Sequence, residues 1–151
     1  MRSKCMKNVF YLLMILTGTI LLSGCDDKDK TDIMKEELQH HRFLLVKANG
    51  ENVAPEKQAF IEFSEKLTFN GKMCNTFFGE ASLNKDTITS KNLSSTQKYC
   101  SDDQQLNKLD GIVSDLFTNG AKVKIKHDYD TTYLELSNKS NELHFEVKDL
   151  M

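Results

Sequence analysis

Apolar and polar residues alternate with a period of two over several stretches of the chain. Ala59-Phe60-Ile61-Glu62-Phe63 and Leu67-Thr68-Phe69 do so around the polar Ser64-Glu65-Lys66. So do Val123 and Ile125 between lysines, Leu134 and Leu136 around Glu135, and Leu143, Phe145 and Val147 among Glu142, His144 and Glu146. Such alternation sends one face of a strand into a core and the other into water, as antiparallel sheets do. Phe43-Leu44-Leu45-Val46 is a short apolar run that leads to the turn dipeptide Asn49-Gly50. Strands are also predicted for Thr76 to Leu83 and Thr87 to Leu93, and a second turn at Asn70-Gly71.

One segment has the helical period instead. Leu106, Leu109, Ile112, Val113, Leu116 and Phe117 fall on one stripe at steps of three and four. Ser101 and Gln104 have the spacing of a capping box, with Asp102 and Asp103 in the first turn where the helix dipole favours negative charge. Asn119-Gly120 supplies the stop. Gly111 in the middle costs about 1 kcal/mol relative to Ala, which predicts a close packing partner there. The order of many strands, one helix and three final strands predicts an α+β fold. It is a strongly bent, mostly antiparallel sheet or partly open barrel, with one main α-helix over an end or a face.

The start of the chain follows neither period. Arg2, Lys4 and Lys7 precede an apolar run from Val9 to Leu22. That run is too short for a transmembrane helix, which needs about 20 residues, and fits a secretory signal peptide. It ends in Leu22-Ser23-Gly24-Cys25, which resembles the bacterial lipobox. Small residues before a cysteine suit a narrow peptidase cleft, and the Cys25 thiol is the nucleophile that takes the lipid. Several acyl chains anchor stably where one is marginal, at about 0.8 kcal/mol per buried methylene. Asp26 after the lipidated cysteine resembles an inner-membrane retention signal. The predicted organisation is a signal peptide over 1–24, a polar tether over 25–37 and one domain over 38–151.

Composition sharpens this picture. The chain has 151 residues, 28% charged and 9% aromatic, with no Trp and one Pro, a globular composition of single-domain size. Without Arg2, Lys4 and Lys7, 17 basic residues face 22 acidic ones, a net charge of −5. A mildly acidic body lacks the basic face that non-specific nucleic-acid binding needs. Of four cysteines, Cys5 leaves with the signal and Cys25 takes lipid. Cys74 and Cys100 then remain in an oxidising compartment, where a disulfide is expected. Closing a loop of about 27 residues is worth ~3.5 kcal/mol in the chain-entropy model.

Chemistry-bearing motifs are sparse. The sequence has no phosphate-binding glycine loop, dinucleotide fingerprint or metalloprotease histidine pair. Adjacent His40 and His41 cannot share one face and read as exposed polar residues. His127-Asp128-Tyr129-Asp130 offers carboxylates and an imidazole, but reads as a polar hairpin loop between Ile125 and Leu134. Lys122, Lys124 and Lys126 read as a solvated strand face that discourages edge pairing. Phe77, Phe78 and Phe145 are assigned to the core. No catalytic residue, metal or cofactor is expected.

Two short segments resemble the META domain family. Met73-Cys74-Asn75-Thr76-Phe77-Phe78-Gly79 is similar to one cysteine signature of that family, and Ser95-Thr96-Gln97-Lys98-Tyr99-Cys100 to the second. Leu38 to Phe43, Gln105 to Asp110 and the closing Asp149-Leu150-Met151 are similar to heat-inducible lipoproteins within it. Met73 stands where many members have Gly, and Phe43 where many have Trp. The resemblance implies a compact sheet-plus-helix fold in an envelope lipoprotein facing the periplasm. It also implies a non-enzymatic accessory role in heat or envelope stress and novobiocin-type antibiotic tolerance. Asp26 points to the inner membrane, and the family resemblance leaves the outer membrane as the alternative. Asn75, Phe77, Gly79 and Thr96 are the motif residues. Gly79 suggests a bulge or close backbone approach, while Asn75 and Thr96 can bond the backbone of a turn. A shared ligand site around Asn75, Phe77 and Thr96 is the alternative. The expected partners are a membrane, through the lipid, and an envelope protein, with no nucleic acid and a monomeric state. A ligand-binding barrel and a lysozyme- or protease-inhibitor-like lipoprotein are the competing functions.

Overall fold

A computed structural model describes residues 29–150. The predicted signal peptide and Cys25 lie outside the described residues. The strands are β1 (His41–Ala48), β2 (Glu51–Asn52), β3 (Phe60–Phe63), β4 (Thr68–Lys72), β5 (Thr76–Asn84) and β6 (Thr87–Ser90). They continue with β7 (Ser94–Ser95), β8 (Ala121–Asp128), β9 (Thr131–Ser137) and β10 (Glu142–Leu150). The helices are α1 (Lys30–Leu38) and α2 (Gln104–Asn119).

Eight strands close into an antiparallel barrel in the order β1-β3-β4-β5-β6-β8-β9-β10, with β10 returning to pair with β1. Alternation fills its interior. Phe43 and Leu45, Ile61 and Phe63, Leu134 and Leu136, and Leu143 and Phe145 are buried from successive strands. Phe63, Phe69 and Phe77 pack ring to ring with centroids 6.1 and 6.3 Å apart, and Phe69 stacks on Phe117 of α2 at 4.4 Å. The predicted α+β fold, a strongly bent antiparallel sheet or partly open barrel with one main helix, is observed with the barrel closed by the β10–β1 pairing.

α2 closes one end of the barrel. Its apolar stripe buries Leu109, Val113, Leu116 and Phe117. Its polar residues reach three turns that share this end: Gln105 donates to Asn52 O, Asp110 accepts from the β4–β5 turn, and Asp115 accepts from Asn138 and Asn141 between β9 and β10. At the opposite end lies α1. Leu38 is fully buried and Met34 packs on the core, while the Thr31 hydroxyl accepts from Lys85 N in the β5–β6 turn.

Several sequence expectations are corrected. Residues 30–37, placed in the tether, form with Leu38 a helix N-capped by Asp29. Asn70-Gly71 is no turn: both residues lie inside β4, opposite Phe78 and Phe77. A Cβ at Gly71 would collide with the Phe60 carbonyl and the Phe77 ring, so glycine is there for close approach between strands. The cap of α2 is Asp103, whose carboxylate accepts from Leu106 N, rather than Ser101. Gly111 is exposed, with nothing near its missing Cβ, so no close partner explains it. Phe78 is 53% exposed, because its neighbour Phe77 takes the inward face and adjacent strand residues point oppositely. His41 is half-buried beside Phe43, while His40 is exposed. Asn49-Gly50 does form the predicted two-residue turn, with positive φ at both positions.

Candidate functional site

The cysteine motifs meet at the barrel end under α2. Between β4 and β5 the chain turns through Met73, Cys74 and Asn75, all buried, with Met73 N donating to Asn75 O. Cys74 is joined by a disulfide to Cys100, where the chain enters α2. Around this bridge, Asn107 on the first turns of α2 accepts from Cys100 N and donates to Cys100 O. The helix entrance is therefore tied to the turn both covalently and by hydrogen bonds.

Asn75 is the centre of this corner and is 6% exposed. Its Nδ2 donates to Asp110 Oδ2 at 2.7 Å and to Lys98 O at 2.9 Å. Its Oδ1 accepts from Lys98 N at 2.7 Å and from the Thr96 hydroxyl at 2.8 Å. An amide side chain offers two donors and two acceptor sites, so Asn75 is saturated within the protein. Thr96 uses both sides of its hydroxyl, accepting from Thr76 N as it donates to Asn75. Asp110 Oδ1 accepts the backbone N–H groups of Cys74 and Asn75. Among the described residues no buried side-chain nitrogen or oxygen lacks a partner.

The other motif residues are structural in placement. Phe77 is buried in the barrel. Gly79 lies opposite Phe69, and a Cβ there would sit 3.1 Å from the Phe69 ring and 3.2 Å from Ser90 Oγ and Asn92 Oδ1. The close approach expected at Gly79 is thus made by an aromatic edge and two polar groups. Ser90, also buried, donates to Glu80 O, and Asn92 Oδ1 accepts from Glu80 N.

The sequence did not single out Asp110, Asn107 or Lys57 as site residues. Asn107 and Asp110 are spaced by three on α2, next to the apolar Leu106 and Leu109, a position where a polar residue has reason to aim inward. Lys57 Nζ reaches Asp103 and Gln105 at the start of α2. The hydrogen bond from Lys57 holds the Asp103 carboxyl below the usual carboxylate range, helped by the Leu106 N–H and the lysine charge. At the other end of α2, amide donors from Asn138, Asn119 and Asn141 lower Asp115 in the same way.

His127-Asp128-Tyr129-Asp130 forms the tip of the β8–β9 hairpin, with Tyr129 fully exposed. His127 faces Glu37 of α1 at 3.0 Å and Thr132 Oγ1 at 2.9 Å. Lys122, Lys124 and Lys126 are exposed along β8, which is paired with β9 over its length.

With this corner described, comparison with known proteins gives the family. The META domain model matches residues 36–149, nearly all of the described chain. The chain belongs to the META domain family. It is 37% identical over 134 residues to the heat shock protein HslJ of Escherichia coli strain K12, covering 88% of this chain and 92% of that one. A solution NMR structure of a protein 37% identical superposes with a TM-score of 0.69, over 78% of this chain and 97% of that chain. An NMR structure from Burkholderia xenovorans shares the fold at 12% identity, with a TM-score of 0.61 over 88% of this chain and 99% of that chain. Both META cysteine signatures, as read from the sequence, thus converge on one saturated polar corner.

Proposed function

We propose that this META domain protein is a heat-stress-associated envelope lipoprotein, anchored through Cys25 and acting by surface recognition of a protein partner rather than by catalysis. The reading is supported by its 37% identity to a heat shock protein along 88% of the chain. One structural observation carries the non-catalytic part. The groups that make the family signature polar, those of Asn75, Thr96 and Asp110, are committed to one another and to backbone. A group so committed braces a scaffold; a general acid or base needs a free face toward substrate. Recognition then falls to the surface, where Phe78 and Tyr99 are the large apolar side chains exposed near the motif.

A ligand inside the barrel is the second reading. The close ring contacts among Phe63, Phe69, Phe77 and Phe117 weigh against it, since a resident ligand would have to displace them. The anchor on Cys25 rests on the lipobox-like Leu22-Ser23-Gly24-Cys25; among the described residues no helix is long and apolar enough to cross a membrane. Asp26 favours the inner membrane within this reading.

The test is genetic and biochemical. A deletion strain is challenged with heat and with novobiocin, then complemented with the wild-type chain or with Cys25→Ser. Reduced survival, restored by the wild type and not by the variant, together with loss of the variant from the membrane fraction, is the expected result. Unchanged survival of the deletion strain overturns the stress role, and a variant that stays in the membrane overturns the anchor.

A further inference from the structure

A second cluster of chemistry-bearing side chains lies on the outside of the barrel, on β9 and β10. Glu135 and His144 are directly opposite register partners across these strands. Glu142 sits two residues before His144, on the same face of β10. The imidazole lies between the two carboxylates, with Nε2 2.8 Å from Glu142 Oε1 and Nδ1 3.7 Å from Glu135 Oε2. One ring nitrogen and one oxygen from each carboxylate all lie within 4.8 Å of one another.

We propose that Glu135, Glu142 and His144 bind one divalent transition-metal cation of the zinc, nickel or copper class, with water completing its shell. An imidazole beside two carboxylates suits these borderline ions, whereas calcium and magnesium prefer oxygen alone. Bonds of about 2.0–2.2 Å to a central ion require the donors to draw together by roughly an ångström. Both glutamates sit at the sheet surface, so rotation of their side chains suffices.

The backbone beneath is fixed. β10 is paired on both sides, with β9 and with β1. Asn49 clamps the first residue of the strand in both directions: its Oδ1 accepts from Glu142 N, and its N–H donates to Glu142 O. The neighbouring cations are Lys124, 3.7 Å from Glu135 and largely exposed, and Lys47, the register partner of His144 on β1. A metal ion takes the place of the Lys124 ammonium beside Glu135, and the long side chain swings into water.

The experiment titrates zinc chloride into the full chain in detergent. Calorimetry gives stoichiometry and affinity, and NMR follows the imidazole nitrogens. One ion per chain is expected, with the His144 nitrogens shifting on addition. His144→Ala lowers affinity tenfold or more, Glu135→Gln and Glu142→Gln each weaken it severalfold, and His127→Ala leaves it unchanged. Circular dichroism confirms that each variant is folded. Zinc binding that survives His144→Ala, as binding by the Cys5 or Cys25 thiols would, overturns the proposal, and so does an absence of saturable binding to the wild type.

Discussion

Asn75 donates twice to a single carboxylate: its backbone N–H reaches Asp110 Oδ1 at 3.0 Å, and its side-chain Nδ2 reaches Asp110 Oδ2 at 2.7 Å. Cys74 N adds a third donor to the same group at 3.1 Å. A residue on α2 thereby terminates the N–H groups of a turn 35 positions earlier in sequence. Asp110→Ala leaves these donors without an acceptor beneath the helix. The expected cost is about 3 kcal/mol, since hydrogen bonds to charged groups are worth ~1.5–3 kcal/mol and unpaired buried donors are penalised. Thermal unfolding followed by circular dichroism reads this as a fall in Tm of roughly 10 °C. An unchanged Tm contradicts the bracing role.

The disulfide holds the same corner. Replacing Cys74 and Cys100 together by serine should lower stability by ~3.5 kcal/mol, read from urea unfolding curves each fitted with its own slope, because the uncross-linked chain exposes more surface when unfolded. Combining that change with Asp110→Ala should cost a different amount from the two single effects added, because both act on one turn. Simple additivity would mean that the bridge and the carboxylate stabilise separate parts of the fold.

Two glycines give opposite outcomes. At Gly71 an added methyl meets the Phe60 carbonyl on the paired strand, and backbone there cannot retreat without breaking the ladder. Gly71→Ala is therefore destabilising by about 2 kcal/mol, within the range for overpacking. Gly111 lies mid-helix with no atom near its missing Cβ. Gly111→Ala gains about 1 kcal/mol from helix propensity. Chemical denaturation of the two variants side by side tests both signs.

Stability should fall in acid, and three carboxylates supply part of the reason. Burial raises the Glu62 pKa, but hydrogen bonds from Arg42 and Asn70 and the Arg42 charge outweigh it and leave the group lowered. Asp103 and Asp115 are lowered by their own donors. A folded pKa below the unfolded one means that the stabilisation is complete above the unfolded value, about 3.9–4.3. It is lost as pH drops through the lower folded values. Unfolding midpoints should thus be flat from neutrality down to the ordinary carboxylate range and decline below it. Arg42→Ala removes the donor to Glu62 and should make the decline shallower; an identical pH profile would refute its part.

Most barrel strands were legible because a buried interior and a wet exterior impose period two on Ile61, Val123, Leu134 and Phe145 alike, while β1 showed as the apolar run Phe43-Leu44-Leu45-Val46. The stripe of α2 was legible for the same reason at the helical period. α1 was not. Its apolar residues Ile33, Met34 and Leu38 stand among lysines and acids, so its composition resembles a tether, and only Leu38 is fully buried. Asn70-Gly71 carries a turn signature that tertiary packing overrides. In the site, the partners Asn75, Thr96 and the cysteines could be picked from their segments. Asp110 could not: its place beside Leu106 and Leu109 on α2 marks it only as a polar residue next to the apolar stripe, and what it caps is distant in sequence.

The joint between β1 and β10 has a consequence for how the molecule comes into being. Synthesis delivers the His41–Ala48 strand early and the Glu142–Leu150 strand late, yet each is the other's neighbour. Until the late strand emerges, one edge of the early one is left with unanswered amides, open to pairing with another chain. The barrel can therefore close only when both strands are present, and a chain halted short of the later one leaves a ring that has not yet been fastened.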